Sequence, residues 1–269
     1  MILLLVIGGL GGCGLGSTGD VTLEGLVQTP WSESQEVVYF AAVSSIVYHP
    51  ERGTFFVVGD EGDIGEVSLG GQILNRVVIG EVDFEGITIT PSNGLLYVLA
   101  EAQLQVFVIQ PDTLDVASVF SLAGLLQTSE AIPEGSLSLE GIAFLPDEND
   151  RQGGVFYVSQ KNAGAGSPAA PAGLIVLELP VLHPGDPAVR DFLPVDILGI
   201  SDLLLEPGGS TLLAVSSRTH SLHRLALDGT ALEVFPLPGD KQEGIALAPD
   251  GSLYIAQDFG AIIKTITGK

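Results

Sequence analysis

One short pattern recurs five times in the chain, a strand-like run whose proline lies six positions after its first residue. It reads SSIVYHP at 44–50, EGITITP at 85–91, EGIAFLP at 140–146, SDLLLEP at 201–207 and EGIALAP at 243–249. A glycine-containing turn and a second apolar run follow each copy: FFVV at 55–58, LYVL at 96–99, VFYV at 155–158, LLAV at 212–215 and LYIA at 253–256. A third run is legible in most units (GEVS 65–68, LIVL 174–177, LHRL 222–225), and a fourth in some (QILNRVV 72–78, LEVF 232–235). Successive starts are 41, 55, 61 and 42 residues apart. Four short strands in a period of roughly 40–45 residues are the signature of a β-propeller, with insertions in the two longer units. A parallel α/β fold would need helical stretches of ten or more residues between strands. Only residues 121–129 invite a helical reading.

The spacing therefore predicts an all-β, five-bladed β-propeller of four-stranded antiparallel blades. The fifth copy ends near Ile266 without an outer strand, and VTLEGLV at 21–27 is available to supply it and close the ring. Because LEGL at 23–26 also resembles a repeat start, six blades with a degenerate first one is the alternative. The expected division is a leader and linker over 1–19 and one propeller domain over 20–269.

Composition narrows the partners. Thirty-three Asp and Glu against ten Lys and Arg give a formal charge of -23. That field repels phosphate backbones, so nucleic acid is not expected as a partner, nor is anionic lipid met through a basic patch. A membrane would be reached through a lipid anchor only, and a monomer is expected. The anchor rests on Cys13, the only cysteine, which follows the apolar start MILLLVI and the small residues of LGGC. This order resembles a bacterial lipoprotein signal, in which the cysteine becomes acylated. The expectation is a protein outside the cytoplasm, in the periplasm or on the cell surface and anchored at Cys13, with an ordinary secretory signal as the alternative. The start is short for such a signal and lacks a basic residue.

The first strand of a propeller blade lines the central channel. The residue opening it and the residue ending the second strand face the same mouth. Two rings converge there: Ser44, Glu85, Glu140, Ser201 (with Asp202) and Glu243, then Asp60 (with Glu61), Glu101, Lys161, Ser217 (with Arg218) and Asp258. Three glutamates at one repeat position cannot all stay ionised in a narrow cleft. Either their pKa values rise or a cation binds. Calcium accepts six to eight oxygens in forgiving geometry, whereas one cysteine and four histidines serve zinc or copper poorly. The candidate ligands are thus Glu85, Glu140, Glu243, Asp60, Glu101, Asp258 and Asp202. The competing reading makes the glutamates struts that bond backbone amides of neighbouring blades. His220 and His223 are expected at the surface, and Tyr97, Tyr157 and Tyr254 in the packing between strands.

The recurring Glu-Gly-Ile starts, together with GDEG at 59–62 and GDKQEGI at 239–245, resemble the SdiA-regulated family of bacterial propellers over about residues 37–266. The resemblance implies an exported five-bladed propeller associated with calcium and without a well-established catalytic activity. The resulting expectation is a calcium-binding interaction or sensing module whose unknown protein or small-molecule ligand sits at the channel mouth. The alternative is a metal-dependent hydrolase, of lactonase or phosphoesterase type, with Glu85, Glu140 or Glu243 as base. No Gly-x-Ser-x-Gly elbow, His-Glu-x-x-His, phosphate-binding loop or EF-hand loop is present.

Overall fold

A computed structural model describes residues 33–135, 137–161 and 171–266. Cys13 and its leader, the 21–27 segment, the six-blade alternative built on it, and most of residues 162–173, a small-residue insertion that the sequence reads as a flexible loop, lie outside these residues. Within them, twenty strands form five four-stranded antiparallel sheets. Blade one comprises β2 (Val43–His49), β3 (Thr54–Gly59), β4 (Asp63–Ser68) and β5 (Ile73–Val78). Blade two comprises β6 (Phe84–Ile89), β7 (Leu96–Ala100), β8 (Gln105–Ile109) and β9 (Val116–Ser121). Blade three runs β10 (Leu139–Pro146), β11 (Gly154–Gln160), β12 (Gly173–Glu178) and β13 (Ala188–Pro194). Blade four runs β14 (Ile200–Leu205), β15 (Thr211–Ser216), β16 (Ser221–Ala226) and β17 (Ala231–Pro236). Blade five takes β18 (Gln242–Leu247), β19 (Leu253–Gln257) and β20 (Ala261–Ile266) from the chain's end, and its outer strand from β1 (Glu33–Tyr39).

The fold is thus the expected five-bladed propeller, closed by the N-terminal side of the chain. The closing strand is β1, where Val38 pairs with Ile262 and Tyr39 with Ala261. Residues 180–194, a proline-rich stretch that the sequence reads as the connection from blade three to blade four, supply in their second half the outer strand of blade three. The short helix α1 (Ala123–Thr128) falls inside the one helical stretch legible in the sequence. Its residue Leu126 and the preceding Leu122 are buried against Leu99 and Leu139. Among the described residues no helix is long and apolar enough to cross a membrane.

The second strands carry the core. Every residue of β3, β7, β15 and β19 is buried, whereas the outer strands β5 and β9 are largely exposed. Alternate side chains of these buried strands pack toward opposite neighbouring blades, so the apolar clusters lie in the seams between sheets. In the seam between blades five and one, the rings of Phe55 and Tyr254 lie 4.4 Å apart and the Tyr254 hydroxyl donates to the Leu69 carbonyl at 3.1 Å. Tyr157 does the same toward blade four, donating to the Leu227 carbonyl at 3.1 Å. These tyrosines pack as expected and also latch neighbouring blades.

Around the channel the inner strands come too close for side chains at every position. A Cβ on Gly141 would lie 2.4 Å from the Leu203 amide nitrogen of the next blade. Equivalent atoms on Gly86 and Gly244 would lie 2.6 Å from the Glu140 carbonyl and 2.7 Å from Ser45 Cα. The recurring glycine after glutamate is therefore a packing requirement of a five-blade ring. Blade four places Asp202 at this position instead. Its fully buried carboxylate accepts from the Ile245 amide at 2.9 Å and from Ser45 Oγ at 3.2 Å, joining blades four, five and one.

Candidate functional site at the channel mouth

One backbone clamp repeats in all five blades and aligns the mouth. The amide of the residue ending each second strand donates to a carbonyl two positions before the opening residue of the first strand. The pairs are Asp60 to Ala42, Glu101 to Asp83, Lys161 to Ser138, Ser217 to Gly199 and Asp258 to Lys241, at 2.8–3.1 Å. Both rings read from the sequence therefore face one mouth, and a third ring of residues lies immediately before them. Buried polar groups hold these turns: Gln160 accepts from the Ser138 amide, Gln257 from the Asp240 amide, and Ser216 donates to the Leu198 carbonyl.

The carboxylates separate into groups. Asp60, Asp83 and Glu85 place one oxygen each within 4.8 Å of the others. Asp60 also accepts from the Ser44 hydroxyl. Glu140, by contrast, meets the Lys161 ammonium at 3.0 Å and accepts from Ser138 Oγ at 3.1 Å. Asp258 is held by Lys241. Asp202 lies deeper, committed to the backbone and Ser45. Asp83 was not among the residues picked from the sequence. It occupies the third ring, where the other blades carry Ala42, Ser138, Gly199 and Lys241, so no recurrence marks it. His220 Nδ1 lies 2.9 Å from Gln242 Oε1 at the edge of the next blade, while His223 is half-buried and burial lowers its pKa, unlike the surface position expected for it.

The electrostatics follow from burial and crowding. Burial first, then Glu140, Asp60 and Asp83, pushes the Glu85 carboxyl up to about 10. Burial also raises Glu243 to about 7, with Lys161 opposing and Glu140 and Asp258 reinforcing the rise. Glu101 and Asp83 rise chiefly through burial as well. Glu140 is raised by burial and partly offset by Lys161. For Lys161 itself, burial works to lower the pKa, but Glu140, Glu243 and Glu85 outweigh it and keep the ammonium charged. Lys161 is thus a built-in cation on the blade-three side. The blade-one and blade-two side has no equivalent among the described residues.

A five-bladed propeller with a half-compensated carboxylate mouth is the class this geometry defines. The model of the SdiA-regulated family matches residues 33–157, in agreement with the resemblance carried by the Glu-Gly-Ile repeats. No functionally curated protein matches the chain. Among solved structures, the glutaminyl cyclase of Myxococcus xanthus is similar with a TM-score of 0.59 at 15% identity, over 87% of this chain and 94% of that one. A streptogramin B lyase structure aligns at a TM-score of 0.48 and 11% identity, over 88% of this chain and 98% of the other. At these identities the likeness concerns the fold alone.

Proposed function

We propose that this protein is a calcium-binding propeller acting as an exported interaction or sensing module, with the ion held by Asp60, Asp83 and Glu85. The carrying observation is the approach of those three carboxylates with no ion pair to any of them among the described residues. Calcium binds oxygens at 2.3–2.6 Å, so ligands around one ion lie up to about 5 Å apart, which is the spacing found here. The cation would supply the charge that Lys161 supplies to Glu140. It would also let Glu85 ionise, and remaining coordination positions would face the open mouth, where a ligand can reach them.

Sites of this extracellular kind have dissociation constants on the order of 10⁻⁴–10⁻³ M. Calcium at ten times that constant should stabilise the fold by about 1.4 kcal/mol, or about 3–6 °C in melting temperature. Glu85→Gln and Asp83→Asn should remove this response, while Glu140→Gln should keep most of it because Glu140 is already paired. Equal loss in Glu140→Gln would move the ion to the centre of the glutamate ring. No response in the native protein would leave the carboxylates as struts between blades. Metal-dependent hydrolysis of lactones or phosphate esters, lost in Glu85→Gln, would favour the enzyme reading.

Export and anchoring rest on the apolar start and Cys13. Expression in a bacterial host with a palmitate analogue should label the protein, and Cys13→Ser should abolish the label. An unlabelled cytoplasmic product would overturn both assignments.

A further inference from the structure

The other end of the channel has a different chemistry. Two adjoining cavities of about 620 and 270 Å³ open on the proline face, sharing Val47, Tyr48, Leu204 and Leu205 and the prolines that end the inner strands, Pro50, Pro91 and Pro146. This combined funnel has the size and apolar lining of a small-molecule site. It is roomier than the recess of about 480 Å³ beside Asp60 and Asp83.

The polar groups in the lining are selective. No Lys or Arg occurs among the described residues that line either cavity, while Glu51 and Glu206 do. Glu206 is engaged by Arg224 at 2.9 Å and by the Thr211 hydroxyl, which leaves exposed Glu51 as the available charge. His49 also lines the smaller cavity. It is 4% exposed, its ring sits 5.7 Å from that of Phe56, and its Nδ1 has no hydrogen-bond partner. That nitrogen is closed to solvent, and so to a ligand in the funnel, which leaves Glu51 as the polar group a ligand can reach.

We infer that the proline-face funnel binds a lipophilic amine, its apolar body against Leu204, Leu205 and the prolines and its ammonium directed to Glu51. Charge complementarity selects the cation, because an anion of the same shape would meet carboxylates and a protein of charge -23. Tyr48, half-buried in the same wall, lines both cavities.

Isothermal titration calorimetry with decylamine, decanol and decanoate below their aggregation thresholds tests this site. Decylammonium should bind saturably, one per chain, about two- to fivefold tighter than decanol, with decanoate weakest. Glu51→Gln should bring the amine to the affinity of the alcohol. Leu205→Lys, and independently Leu145→Lys, should abolish binding of decylammonium and decanol while the variants still melt cooperatively. Saturating calcium and Glu85→Gln should leave the amine's affinity unchanged, which separates the funnel from the carboxylate mouth. Absence of saturable binding, decanoate binding as tightly as the amine, or loss of amine binding in Glu85→Gln would each overturn the inference.

Discussion

Stripped of divalent ions, the protein should lose stability as pH rises from about 5 to 8. A carboxyl whose pKa is raised on folding keeps a proton that the unfolded chain releases. Across the interval between the two values, rising pH therefore favours unfolding. For Glu243 that interval runs from the ordinary 4.5 to about 7, and for Glu85 it extends to about 10. Stability from these groups is fully present below pH 4.5 and declines through the interval. Glu243 alone accounts for a loss on the order of 3 kcal/mol, or about 10 °C for a chain of this size. Calcium at pH 8 should restore part of the Glu85 share, because the ion replaces the proton there as the counter-charge, and leave the Glu243 share lost. Below pH 4.5 the sign reverses through Glu66, whose carboxyl Arg52 holds below the usual range, so its contribution fades as acid is added. Melting curves in chelator from pH 4 to 9, repeated with calcium, read both limbs. A level or rising melting temperature between pH 5 and 8 in chelator would show that Glu85 and Glu243 ionise freely in the fold.

Removal of β1 should be equally damaging. Without residues up to Tyr39, β20 becomes an open edge bearing Ala261, Ile262 and Ile263, and unpaired apolar edges invite association. The strand also supports blade one. A Cβ on Gly71 would lie 2.0 Å from the Val37 carbonyl, so the β4–β5 turn rests directly on β1. Two half-buried valines, Val37 and Val38, and the lost pairing make a penalty on the order of 3 kcal/mol, or about 6–12 °C. A chain beginning at Phe40 should melt correspondingly lower and elute partly as oligomers. A synthetic peptide spanning Glu33–Tyr39 should recover monomer by adding the missing strand. Unchanged melting of the shortened chain would refute closure by β1.

The propeller was legible because its inner strands repeat both a packing need and a stop signal, the glycine after glutamate and the proline six residues on. Outer strands escaped where one face and one edge meet solvent. β13 alternates poorly and carries Arg190 and Asp191, so residues 180–194 read as a connection. β1 was missed in favour of residues 21–27 for the same reason, since four of its residues are polar. Recurrence also located Glu85, Glu140 and Glu243. It could not show that Lys161 claims Glu140, because which side chains meet across a channel depends on loop paths that no spacing encodes. Asp83 was invisible to the same method, as its ring position holds a different residue in every blade.

Glu33 pairs with Ile266, and both lie at the proline end of blade five, across the ring from the carboxylates. The described chain therefore begins and ends at the floor of the propeller. The way the last blade is closed thus sets both of these ends at the pole opposite the acidic mouth, and leaves the mouth to be built from turns alone.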